Sequence, residues 1–234
     1  MVFPVRTLAI DWRRRKYMPS KKSAILCNIL QKGLVTILNS HGSDPLKFWE
    51  LHPGMGRIQR IRNPDVDGLV LELTSPAFCS TYISVPEGVR KSMDCSMPIL
   101  TLIVEFLNEP FAFEINLRDS KNMKRKFRMS SCQTNSKLSE LLCHLPLHMT
   151  RGWNKVMIDL PGLTRLSYYS GFVELLGITV YSTCRIRRIY LSDRKYDDSE
   201  LPDDFALKEP FPLYRGRKDY PFNMYPANAY RDWN

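Results

Sequence analysis

The chain has 234 residues, of which 44% are hydrophobic, 11% aromatic and 25% charged; these proportions belong to a folded domain and exclude wholesale disorder and collagen-like repetition. The length suits a single large all-β domain, or a domain of ordinary size with arms at its ends. Thirty-four Lys and Arg against 24 Asp and Glu give a formal net charge of +10, which favours a polyanionic partner: nucleic acid, an anionic membrane or an acidic protein surface.

Most of that charge sits at the start of the chain. Met1 to Lys32 carries +7, and everything after it only +3. Residues 1–28 show no sustained apolar period and are expected to form a basic arm, with Arg13, Arg14, Arg15 and Lys16 as candidate contacts. The charges follow a short apolar stretch instead of preceding one, which argues against a secretory leader; an Arg-rich mitochondrial leader is the minor reading. Six cysteines without a C-x-x-C pair are expected to be reduced thiols of a cytosolic compartment. The longest apolar run, Ile99 to Val104, is far short of the roughly 20 residues that cross a bilayer, so no membrane partner is expected.

From Gly33 onward β-branched and aromatic runs alternate with turn clusters at the short spacing of an all-β, antiparallel sandwich, assigned to residues 29–207. The predicted strands are Leu34 to Asn39, Leu46 to Glu50, Arg57 to Ile61, Leu69 to Leu73, Thr81 to Val85, Ile99 to Leu107, Phe111 to Arg118, Lys124 to Met129, Lys155 to Leu160, and Val173 to Leu191 as two strands. A short helix is expected over Leu163 to Tyr169, and Ser199 is expected to cap a turn running through Asp204 to Leu207.

One hairpin can be placed in register. Keeping Phe113 and Ile115 on the face of Phe127 and Met129 pairs 115 with 127, sets Glu114 opposite Arg128, and gives Asn122 the left-handed position of a short loop. Arg118, Lys124, Lys126 and Arg128 then line one outward face, read either as a solvated surface or as a binding stripe. Further on, Cys184-Arg-Ile-Arg-Arg-Ile-Tyr190 breaks its alternation at Arg187-Arg188, which predicts a β-bulge that re-aims one arginine. Five basic residues there precede five acidic ones, suited either to an oriented partner or to internal pairing. Arg185, Arg187, Arg188, Arg194 and Lys195 are the candidate contacts. Residues 208–234 alternate prolines with aromatics and are expected to lie as an extended tail against a groove, with Tyr214, Tyr220, Tyr225 and Trp233 as candidate contacts.

Nothing in the sequence demands catalysis, a cofactor or a metal. No phosphate-binding glycine loop, G-x-S-x-G elbow or H-E-x-x-H helix is present. Cys143, His144 and His148 converge poorly on a zinc, because Pro146 interrupts a helix and neighbouring strand residues face opposite ways. Asp65 and Asp67 sit in an Asn-Pro-Asp-x-Asp-Gly turn. Trp49 and Trp153 are read as core residues, with a sugar-stacking platform as the alternative.

These residues also resemble the cilia- and flagella-associated protein 20 family. The resemblance runs from about Ile29 to Leu207 and is carried by Gln31-Lys-Gly-Leu-Val-Thr-Ile-Leu38, Trp49, Leu69-Val-Leu-Glu72, Thr81-Tyr-Ile83, Lys124-Arg-Lys-Phe-Arg128, Gly152-Trp-Asn154, and Cys184 through Arg194 to Glu200-Leu-Pro202. It implies a sandwich of jelly-roll type and a structural, non-enzymatic role in the ciliary or flagellar axoneme, at the inner junction where the B-tubule closes onto the A-tubule. The implied partners are tubulin and the parkin co-regulated gene protein, and the implied location is the cytoskeleton, with basal body or nucleus as further sites. The basic arm and the Pro-aromatic tail depart from the family pattern and suggest a diverged paralogue, for instance of a sperm flagellum. A nuclear or nucleic-acid-associated role and a glycan-binding module are the alternative functions.

Overall fold

Period-2 alternation of apolar and polar residues builds two sheets. In chain order the strands are β1 (Leu34–Asn39), β2 (Glu50–His52), β3 (Arg57–Asn63), β4 (Gly68–Thr74), β5 (Tyr82–Val85), β6 (Ile99–Phe106), β7 (Ala112–Asp119), β8 (Lys124–Ser130), β9 (Lys137–Leu138), β10 (Leu142–Pro146), β11 (Gly152–Asp159), β12 (Phe172–Tyr181) and β13 (Cys184–Ser192), with one helix, α1 (Leu160–Tyr168), between β11 and β12. The structure is a computed structural model that describes residue 26 and residues 30–88 and 92–207. The contacts expected at Arg13, Arg14, Arg15, Lys16, Tyr214, Tyr220, Tyr225 and Trp233 lie outside the described residues.

The first sheet runs β11-β6-β13-β4-β3, with β1 pairing the later half of β13; the second runs β2-β5-β12-β7-β8-β10-β9. Leu71, Leu102, Val104, Ile186 and Ile189 of the first sheet face Ile83, Phe113, Ile115, Phe127 and Val180 of the second in one continuous core. Each such side chain contributes about 1.5–3 kcal/mol on burial. Leu26, within the stretch read as arm, is also buried there, its N–H donating to the Met93 carbonyl at 3.2 Å. The architecture is the expected all-β sandwich, with one departure: β10 runs parallel to β8.

The hairpin forms in the derived register, Ile115 opposite Phe127 and Glu114 opposite Arg128, and Asn122 has φ 59°. The bulge is also present: the register of β13 on β6 shifts between Ile186 and Arg188, leaving Arg187 as the extra residue. Four expectations need correction. Leu46 to Phe48 form a turn and the strand begins only at Glu50, because Trp49 is drawn into the core and its indole N–H donates to the Ile37 carbonyl at 3.2 Å. Strands β9 and β10 were not expected; outward Leu142 and inward Cys143 disguise the alternation of β10, and Pro146 sits at its end. The helix starts three residues early, because the Asp159 carboxylate accepts from the Gly162 N–H at 3.0 Å and Pro161 occupies its first turn. Ser199 caps nothing: the short turn Asp198–Glu200 closes when the Glu200 carboxylate accepts from the Asp197 N–H at 3.0 Å.

Candidate functional site

The outer face of the second sheet presents side chains in rows across its strands. Register places Glu50, Ser84, Thr179, Glu114, Arg128, His144 and Lys137 in one row. The next holds Gly177, Asn116, Lys126 and Leu142, and a third holds Glu174, Arg118 and Lys124. Because Gly177 offers no side chain, the face dips beside it into an open cleft of about 520 Å³, lined by Ser84, Pro86, Asn116, Lys124, Arg125, Lys126, Leu142 and Thr179 among others. The charged residues of the lining are all cations. Glu114, whose side chain is 8% exposed, is shared by Lys126 at 3.2 Å and Arg128 at 3.3 Å. Glu174 is held by Arg118 at 2.7 Å. Lys124 stands directly opposite Arg118 and has no ion pair among the described residues, so two like charges face each other across the strands.

An aromatic group that sequence reasoning missed borders this face. His52 stacks on Tyr82 at 4.2 Å, Tyr82 meets Tyr181 at 5.4 Å, and the Arg128 guanidinium lies 5.1 Å from the Tyr181 ring. Burial, then Glu114, pushes the Tyr181 hydroxyl well above its ordinary value. Arg128 also donates to Cys79 Sγ at 2.8 Å, and burial raises that thiol although the arginine opposes it. The alternation of Tyr82 with Ile83 and Ser84 was a visible signal for an outward tyrosine, but the pairing of β5 with β12 was not.

Behind the cleft the hairpin is clamped from inside. Asp119, 1% exposed, accepts from the Arg125 Nε at 2.8 Å, Ser170 Oγ at 3.0 Å and the N–H groups of Lys121 and Met123 at 3.0 and 2.8 Å. Burial alone would raise its pKa, but these donors together hold it below the ordinary carboxylate range. Arg125 also reaches the Glu140 carbonyl and lies 4.3 Å from the Tyr168 ring.

On the first sheet most of the candidate arginines already have carboxylates. Arg185 bonds Glu72 at 2.8 Å and Glu105 at 3.2 Å, in a cross-sheet chain that Gln59 and Asn63 complete. Arg194 is bidentate on Glu200, which lowers that carboxyl to about 2; Lys195 is 3.8 Å from Asp159. Arg188 is buried beside Asp204, whereas Arg187 has no ion pair within the described residues and donates to the Ala206 carbonyl at 3.1 Å. The segment after β13 thereby straps Leu201 and Phe205 over Val70, Ile103, Trp153 and Tyr190, a second small core on the outside of the sheet. Trp49 and Trp153 are 4% and 6% exposed, so neither serves as a sugar platform. Cys143 is buried and His144 faces outward on β10, and Asp67 takes φ 42° at the end of its turn.

The chain matches the CFA20 domain over residues 26–209. It is similar to the cilia- and flagella-associated protein 20 of Chlamydomonas reinhardtii, at 38% identity over 180 residues that make up 77% of this chain and 95% of the relative. The corresponding proteins of Paramecium tetraurelia and Caenorhabditis elegans are 35% and 34% identical, over 77% and 78% of this chain and 94% and 90% of their own. Among solved structures an exo-beta-agarase aligns with 70% of this chain and 25% of its own at 10% identity and a TM-score of 0.34, too low to bear on fold or binding.

Proposed function

Since the chain belongs to the CFA20-domain family, we propose that it is a structural protein of the cilium or flagellum that docks on axonemal microtubules through the outer face of its second sheet. The finer placement, at the inner junction between B- and A-tubule beside the parkin co-regulated gene protein, rests on the family resemblance. The cleft carries the reading: its charged lining is wholly cationic, and tubulin presents an acidic surface that such a lining complements. The acids nearest to it are already neutralised by Arg118, Lys126 and Arg128. A nucleic-acid role fits this face less well, because a phosphate backbone needs a continuous track of free cations, and here most basic side chains are paired within the sheets.

The test is sedimentation of the full chain with doublet microtubules at about 150 mM salt, where long-range attraction between solvent-exposed charges is largely screened beyond about 8 Å. Lys124→Glu combined with Lys126→Gln should cut pelleting several-fold while the melting temperature stays within a few degrees. Arg128 is left in place because Glu114, Cys79 and Tyr181 all depend on it. Unchanged pelleting would sink the docking face, and tight, salt-sensitive binding to DNA or RNA with none to microtubules would sink the functional reading.

A further inference from the structure

The bulge on the opposite face gathers cations that the docking cleft does not use. Arg187 is its extra residue, and the main chain fixes its neighbours. Ser40 donates its N–H to the Arg187 main-chain carbonyl at 3.1 Å, while the Ser40 carbonyl accepts from Arg60 Nη2 at 2.8 Å, so a single turn residue links the backbone of the bulge to the Arg60 guanidinium. Arg60 reaches on to the Gly42 carbonyl at 3.0 Å. His41 covers Gly68 so closely that a Cβ there would fall 1.6 Å from its Nε2. Arg188, 5% exposed, lies 4.1 Å from the Phe205 ring and donates to Thr36 Oγ1 at 3.1 Å, yet its Nε has no partner among the described residues. Burial, then Arg187, lower the pKa of His41; Asp204 opposes them, and Arg188 and Arg60 add lesser lowering effects.

Among the described residues a single carboxylate acts on the guanidiniums of Arg187 and Arg188. Asp204 is the acid that acts on both Arg187 and Arg188; it lies 3.6 Å from Arg188 and its side chain is 78% exposed. Clustered guanidiniums repel one another, and partial burial weakens the screening that would make this tolerable. Their planar forks match carboxylates in a bidentate way, which a lysine cluster would not do. We propose that Arg60 and Arg187 at the β13 bulge, with the buried Arg188 adding positive charge behind them, form a second docking site, which takes the side-chain carboxylates of a glutamate-rich segment of a partner protein. Carboxylate suits it better than phosphate: the site contains the carbonyls of Ser40, Gly42 and Ala206 and the Asp204 carboxylate, which oppose a dianion more strongly than a single negative charge. The site stands whether or not the cleft binds microtubules. With an acid-seeking patch on each outer face, the sandwich is built to bridge two acidic neighbours.

Calorimetric titration of the full chain with a ten-residue polyglutamate peptide tests this, in a background with Arg13, Arg14, Arg15 and Lys16 changed to Gln to silence the arm. Arg187→Gln should abolish one class of binding site or weaken it at least about tenfold, with Arg187→Lys intermediate because it keeps charge without the fork. Lys124→Gln with Lys126→Gln should remove a different class, so that failure of either site is visible separately. If Arg187→Gln does not fold, Arg60→Gln, at an exposed position of edge strand β3, makes the same cut. Binding unchanged within twofold in the folded Arg187 or Arg60 variant would overturn the site. Displacement of the peptide by inorganic phosphate, but not by equal concentrations of glutamate, would overturn the assignment of its ligand.

Discussion

Asp119→Asn probes the clamp that holds the basic hairpin in place. The substitution keeps volume and leaves Oδ1 to accept from the Lys121 and Met123 N–H groups, but it replaces Oδ2, the acceptor for Arg125 Nε and Ser170 Oγ, with an NH₂ donor. No cavity opens, so the loss is electrostatic: a buried guanidinium, 7% exposed, is left without its counter-charge. Removing one partner of such a pair costs about 3–5 kcal/mol, and at about 2–4 °C per kcal/mol for a domain of this size the melting temperature should fall by about 6–20 °C. The depressed Asp119 carboxyl stabilises the fold fully above its unfolded value of about 3.9, and this contribution disappears as pH falls through the lower folded value. Urea titrations from pH 7 down to about pH 3 should therefore show a loss of stability in the wild type that is shallower in Asp119→Asn. Adding Arg125→Met should recover much of the deficit, because it removes the orphaned charge. A single-variant loss below about 1 kcal/mol, or no recovery in the double variant, would refute the clamp.

The strap and the cleft each give a sharper single substitution. Phe205→Ala removes the ring that packs edge-on against Tyr190 at 4.9 Å and lies under Arg188; it should free the strap locally, at a cost of up to about 3 kcal/mol, and shift Trp153 emission to the red, whereas an unchanged emission maximum would show that the strap is not what covers that indole. Gly177→Ala places a Cβ 2.7 Å from the Val85 carbonyl oxygen and 3.3 Å from Pro86 Cδ; an unfolding free energy from urea titration lowered by about 1–3 kcal/mol is expected as the backbone gives way, and a fully stable variant would show that the floor of the cleft has slack.

The contrast between legible and hidden features follows the range of the interactions involved. The β7–β8 hairpin could be read because its partners lie within twenty residues and one face is greasy, so a slip of one residue would turn every apolar side chain to water. The bulge could be read because two adjacent arginines cannot both alternate outward in a strand whose other positions are apolar. The cleft could not, since it exists only where β12, carrying Gly177, lies beside β7 and where β10 returns alongside β8. Nor did the stripe reveal that Glu114 binds two of its cations at once, which leaves Lys124 and not Arg128 as its free charge.

Residue types and their spacing thus determined the all-β class, most strands, the outward basic edge of the hairpin and the burial of Trp49 and Trp153, because strand periodicity is a property of neighbours in the chain. Tertiary structure alone decided which acids meet which bases. Arg185 finds Glu72 and Glu105 from 113 and 80 residues away, Arg188 and Phe205 close over a second core, and Arg60 reaches the bulge through Ser40. Such pairings depend on how loops close across distant strands, for which no local pattern of side chains exists; only once they are made does the charge of the sandwich separate into neutralised pairs and the few cations left to bind something else.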